Sequence, residues 1–92
     1  MNRIVLVVLS DCESCHIVEK KLRDCIKTFK KSDIKFEVKV RENCNKSFLK
    51  INRINDFPTA LFYKDTNIVF KFTGNYPSIV ITQWLHNYYI DT

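Results

Sequence analysis

Cys12 and Cys15 are the residues whose type and spacing carry chemistry, in the stretch Ser10-Asp11-Cys12-Glu13-Ser14-Cys15-His16. An apolar run, Ile4-Val5-Leu6-Val7-Val8-Leu9, precedes them and an amphipathic run beginning at Ile17 follows. A buried strand therefore delivers two cysteines to the first turn of a helix. Residues three apart on a helix share a face, and their Cα atoms then lie within the roughly 4.4–6.8 Å that a disulfide needs. Cys12 would stand where unpaired backbone N–H groups and the helix dipole favour an anion, which stabilises a thiolate. Cys15, one turn deeper, is placed to attack a mixed disulfide formed at Cys12. The expected chemistry is a reversible dithiol switch, with Cys12 as nucleophile and Cys15 as resolving thiol.

The same residues admit rivals. Cys12 and Cys15 could form a static disulfide or remain reduced core thiols. Cys15-His16 completes Cys-x-x-Cys-His, the attachment pattern of c-type haem; against it, such a protein requires export, and Met1 is the single methionine able to serve as a second axial ligand. Cys12, Cys15 and Cys44 with His16 could offer zinc four ligands, but structural zinc sites pair two closely spaced couples, and one couple plus singles is a weak match. The stretch is therefore read with no metal. Cys25 falls on the core-facing side of the first helix, and Cys44 in a polar connection, as an incidental surface thiol or a site of glutathionylation. Glu13 and Asp11 oppose the dipole at Cys12, so the couple is expected to be reducing.

Elements able to hold such a site can be read along the whole chain. Arg3–Leu9 is a central strand buried on both faces. Val18, Leu22, Cys25, Ile26 and Phe29 recur at helical spacing from Cys12 to about Lys30. Lys35–Val40 alternates at a period of two, the mark of a half-covered strand. Phe48, Leu49 and Ile51 lie on a short helix ending near Asn52, and Ile54–Pro58 is a loop. Thr59–Tyr63 and Ile68–Thr73 make a hairpin around Lys64–Asn67. Gly74-Asn75 ends its second strand, and Pro77 opens a last helix with Ile79, Val80, Trp84, Leu85 and Tyr88 as its apolar stripe. The order is βαβαββα, an α/β fold with a four-stranded mixed sheet flanked by helices, in one domain over residues 1–92.

Composition limits the alternatives. Ninety-two residues, 46% of them hydrophobic, suffice for one core. The formal charge of +5 is spread between apolar positions rather than gathered in a stripe, so no nucleic-acid partner is expected. No apolar run approaches a membrane span, and the six-residue N-terminal run is too short for a signal-peptide core, so neither membrane nor export is expected. A cytoplasmic location and a monomeric state follow as defaults.

This order, with Cys-x-x-Cys at the first strand-to-helix junction, resembles the thioredoxin-like superfamily in its minimal form. Asn55-Asp56-Phe57-Pro58-Thr59 is similar to the family's cis-proline loop, and the single glycine, Gly74, follows the last strand as one does in thioredoxins. The resemblance implies a thiol–disulfide oxidoreductase that reduces protein disulfides. Pro58 and Thr59 would present backbone to a substrate chain, and Phe57 an apolar rim beside it. It also implies no bound cofactor, with electrons supplied by a thioredoxin reductase-type donor or by glutathione as co-substrate. The chain departs from both main branches. Glu13-Ser14 replaces the Gly-Pro of thioredoxins and the Pro-Tyr of glutaredoxins, Leu6 takes the place of the thioredoxins' buried carboxylate, and Gly74-Asn75-Tyr76-Pro77 lacks the acidic residue of the glutaredoxins' glutathione contact. A glutathione-dependent glutaredoxin is thus the alternative within the class, and a non-catalytic or zinc-holding thioredoxin-fold module the alternative outside it.

Overall fold

The computed structural model describes residues 1–90; positions 91 and 92 of the expected domain lie outside the described residues. Its first strand, β1 (Asn2–Val8), buries Ile4, Leu6 and Val8 on one face and Val5 and Val7 on the other. A strand buried on both faces requires a layer on each side of the sheet and a neighbour along each edge. Both are present. The sheet order is β2-β1-β3-β4, with β1 in its interior.

Strand β2 (Ile34–Val40) pairs parallel with β1, Ile4 opposite Phe36 and Val8 opposite Val40. As an edge strand it is covered on one side: Ile34, Phe36, Val38 and Val40 pack inward while Lys35 and Lys39 stay exposed. The parallel connection runs through α1 (Glu13–Thr28), which lays Cys15, Val18, Leu22 and Cys25 on the sheet. Strand β3 (Thr59–Lys64) runs antiparallel to β1, and β4 (Asn67–Thr73) antiparallel to β3. The helix α3 (Ser78–Tyr89) packs beside α1 on the same face. A 3-10 turn (Arg41–Asn43) and α2 (Lys46–Ile51) supply Cys44, Phe48 and Leu49 to the opposite layer.

Three details depart from the sequence reading. In α3 the fully buried stripe is Ile81, Leu85 and Tyr89, spaced four apart, with Trp84 and Tyr88 at its margin; Ile79 is 69% exposed. The run Ile79-Val80-Ile81 left the phase of the helix ambiguous, and packing on Phe62 and Phe72 decides it. The hairpin turn is tighter than expected: β3 reaches Lys64 and β4 starts at Asn67, so Asp65 and Thr66 alone connect them. Asp65 adopts φ +55, a left-handed conformation that a short polar side chain tolerates, and its carboxylate pairs with the Met1 ammonium. Finally, the β3–β4 register shifts between Phe62 (opposite Phe70) and Tyr63 (opposite Ile68). The bulged residue is Val69, so Ile68 turns to the α2 face while Phe70 and Phe72 face α3.

Candidate active site

The dithiol is built by the end of β1 and the start of α1. Cys12 is the N-cap of α1, with extended backbone (φ −144°, ψ 105°), and its carbonyl accepts the first helical bond from the His16 N–H at 3.3 Å. Its sulfur takes the place that a capping oxygen occupies elsewhere, accepting the Cys15 backbone N–H at 3.2 Å with the Ser14 Oγ at 3.4 Å. Cys12 and Cys15 are joined by a disulfide, their Cα atoms 5.2 Å apart. In this form the acceptor at the helix end is a half-cystine sulfur; on reduction the same N–H faces the thiol or thiolate.

The two sulfurs differ in surroundings. Cys12 retains exposed surface, whereas Cys15 is 2% exposed and belongs to the apolar layer that contains Leu6, Val8, Val18 and Ala60. Leu6 is itself fully buried, and Thr59 is the one buried polar residue among the described residues. No carboxylate therefore lies beneath Cys15. Asp11, Glu13, Ser14 and His16 are all exposed around the pair.

The second wall comes from the loop before β3. The Phe57–Pro58 peptide bond is cis. Pro58 is buried, and its carbonyl accepts the Gly74 N–H at 2.9 Å. Thr59 is fully buried between β1 and β4, opposite Val7 and Thr73. Its hydroxyl donates to the Asp56 carbonyl at 2.6 Å and accepts from the Thr73 hydroxyl at 2.9 Å. Of the three residues expected to meet a substrate, Phe57 alone keeps exposed surface; Pro58 and Thr59 hold the loop in place from inside the sheet. Phe57 packs against both apolar layers, with the Arg41 guanidinium 5.8 Å from its ring centroid.

Other contacts around the site were invisible in the sequence because they join distant positions. Lys21 Nζ donates to the Asn75 Oδ1 at 2.7 Å and to the Tyr76 carbonyl at 3.0 Å, tying α1 to the loop after β4. Gly74, at φ +97, lets the chain turn there. The remaining cysteines stand apart: Cys25 is a free, buried thiol 3.8 Å from the Ser78 carbonyl, and Cys44 is free and half-buried, 3.6 Å from the Val40 carbonyl. Among the described residues no three His, Cys, Asp or Glu side chains gather as a metal-binding group, so Cys44 does not join Cys12, Cys15 and His16 as the zinc alternative requires.

No family model and no curated protein matches the sequence significantly. Solved structures do. Thioredoxin-2, described as a component of the malaria parasite protein secretion machinery, superposes with a TM-score of 0.79 at 11% identity, over 96% of this chain and 84% of its own. Oxidised thioredoxin O2 from Arabidopsis thaliana gives 0.74 at 10% identity, over 97% and 76%. A chain from the structure of the thiol-resolving mechanism in yeast mitochondrial 1-Cys peroxiredoxin via glutathione/thioredoxin systems gives 0.74 at 14% identity, over 94% and 77%.

The fold is thioredoxin-like. In this thioredoxin-like domain the dithiol occupies the strand-to-helix junction and the proline loop lies at the same end of the sheet, where β3 begins opposite the last residues of β1. A Cys12–Cys15 disulfide on such a scaffold is consistent with thiol–disulfide exchange. The exposed Glu13 and Ser14 and the buried Leu6 surround the pair.

Proposed function

We propose that this thioredoxin-like domain is a thiol–disulfide oxidoreductase that reduces protein disulfides through Cys12 and Cys15. The observation that carries the reading is the asymmetric disulfide at the α1 N-terminus, one sulfur reaching solvent and the other sealed in the core. In the reduced state the Cys12 thiolate, facing the Cys15 N–H, attacks a substrate disulfide. One substrate sulfur leaves as a thiol and the other stays bonded to Cys12. Cys15 then attacks the Cys12 sulfur, releasing the second substrate thiol and closing Cys12–Cys15. Two electrons pass to the substrate and must be restored from outside, because the sequence has no nucleotide-binding motif. A thioredoxin reductase-type donor or glutathione supplies them. The substrate side of the site is Phe57 and the backbone around it, and the setting is cytoplasmic.

Single-cysteine variants test this directly. Cys12→Ser is expected to abolish reduction of a disulfide-bonded protein substrate. Cys15→Ser is expected to stop turnover while accumulating a covalent substrate adduct on Cys12, visible by intact-mass spectrometry. Full activity in Cys12→Ser would refute the reading. Sustained turnover of Cys15→Ser on small glutathione mixed disulfides would replace the protein-disulfide reading with a glutathione-dependent one.

A further inference from the structure

The two walls of the dithiol site come from separate parts of the fold, and one side chain spans the gap between their supports. The first wall is the start of α1, which carries Cys12 and Cys15. The second is the proline loop, whose Pro58 carbonyl accepts the Gly74 N–H at 2.9 Å. The β1–β3 ladder joins the walls as far as Val7 opposite Thr59, and both Cys12 and Pro58 lie past that end. Gly74 opens the stretch Gly74-Asn75-Tyr76. Its far end is anchored by the Tyr76 ring, edge-on to Phe72 at 5.6 Å and to Trp84 at 5.0 Å. Lys21 reaches this stretch from α1, its Nζ donating to the Asn75 Oδ1 at 2.7 Å and to the Tyr76 carbonyl at 3.0 Å.

The contact is selective. Lys21 is half-buried, and Asp24, three residues along the same helix, is within the spacing of a helical ion pair. Yet among the described residues Lys21 is in no ion pair. Its donors go instead to a neutral amide and a carbonyl 54 and 55 residues away in sequence. Hydrogen bonds from an ammonium are roughly twice as strong as neutral ones, and two from one nitrogen fix a distance as well as a direction. One turn further along α1, the Cys25 Sγ lies 3.8 Å from the Ser78 carbonyl, so the same helix face follows the connection from Asn75 to Ser78. The contacts form a ring around the site: dithiol, α1, Lys21, Asn75 and Tyr76, Gly74, Pro58, Phe57.

We propose that Lys21 is a positioning residue for disulfide exchange, setting the separation of the dithiol from the proline wall by holding Gly74-Asn75-Tyr76 against α1. This rests on the reading of Cys12 and Cys15 as a disulfide-reducing pair. A polypeptide disulfide needs both walls at once, one sulfur in line with Cys12 and the adjoining chain along Phe57. A small aromatic disulfide needs Cys12 alone. Loss of the Lys21 contacts therefore acts first on polypeptide substrates.

The test compares Lys21→Met, which keeps the stem and removes the ammonium, with Lys21→Arg and Asn75→Ala in the full chain. The first readout is amide hydrogen exchange of the oxidised protein, which needs no catalysis. The Gly74 amide is expected to exchange about fivefold faster in Lys21→Met, the worth of one net hydrogen bond, and close to the unsubstituted rate in Lys21→Arg. The second readout is kcat/KM for insulin divided by that for 5,5′-dithiobis(2-nitrobenzoate), with dithiothreitol as electron donor. This ratio is expected to fall about fivefold in Lys21→Met, chiefly through KM, and to recover in Lys21→Arg. Adding Asn75→Ala to Lys21→Met should cost nothing more, because both cut the same link. A Gly74 amide indifferent to Lys21→Met would overturn the proposal. So would an equal fall with both disulfides, which marks a support for the helix alone. An unsubstituted chain inactive on insulin would refute the dithiol reading instead, and the Gly74 amide then decides the link by itself.

Discussion

Cys12 and Cys15 have the same side chain and opposite surroundings, and the division of labour proposed for them rests on that. The Cys12 sulfur meets a backbone N–H at the positive end of a 16-residue helix and reaches solvent; Cys15 sits among aliphatic side chains. On the proposed reading Cys15 acts only once a mixed disulfide has formed beside it. Glu13 adds a like charge next to a Cys12 thiolate. A like-charge neighbour at the surface costs about 0.2–0.5 kcal/mol, which at 30 mV per 1.4 kcal/mol corresponds to about 4–11 mV. Glu13→Gln is therefore expected to raise the potential of the couple by about that amount and to make Cys12 alkylate faster near neutral pH. Both are read from redox titration and from iodoacetamide kinetics, and an unchanged potential would remove Glu13 from the account. At this scale the sequence was most legible for the dithiol, because capping and a three-residue spacing are local. It was least legible for Thr59, whose burial depends on strands fifty residues apart in the chain.

At the scale of elements, the strand-to-helix junction and the proline loop are held by connections at their backs. The loop is fixed by Thr59 to Asp56 and by Pro58 to Gly74, so the turn after β4 supports the wall of the site. Gly74 has φ +97 and open space where a Cβ would stand. Gly74→Ala thus meets backbone strain without a clash, and it is expected to cost about 1–2 kcal/mol in urea unfolding. A neutral substitution would show that the turn relaxes freely. The order βαβαββα was readable because each element carries its own period, but element edges were not. The hairpin's two-residue turn rests on Asp65 adopting a left-handed conformation, and the bulge at Val69 arises from cross-strand packing. Both come from pairing, which no single segment encodes. The phase of α3 was misread for the same reason: three consecutive apolar residues leave the choice of buried face to the neighbours.

For the molecule as a whole, α3 closes the fold. Tyr89 is fully buried, stacked on Phe62, with its hydroxyl 3.1 Å from the Arg3 carbonyl and 3.0 Å from the Tyr63 carbonyl. Burial raises its ionisation well above the ordinary 10.0, with the hydrogen bond to Tyr63 opposing weakly. A group whose folded value is raised stabilises the fold fully below its unfolded value. That contribution is lost as pH rises from there towards the folded value. Stability should therefore fall above about pH 10, Tyr89 adding a slope of about 1.4 kcal/mol per pH unit. Tyr89→Phe should cost about 1 kcal/mol at neutral pH and flatten the alkaline slope in denaturant titrations. An alkaline slope identical in the two proteins would contradict this assignment.

A glutathione redox titration shows whether Cys12 and Cys15 form a reversible redox couple or a fixed crosslink. The protein is equilibrated at graded ratios of reduced and oxidised glutathione, trapped by alkylation, and its cysteine pairings mapped. Cys12–Cys15 is expected to open and close reversibly at a potential between about −270 mV and about −200 mV, the range spanned by thioredoxins and glutaredoxins, while Cys25 stays reduced. A pair that never opens under these ratios, or a disulfide that forms between other cysteines instead, would contradict it.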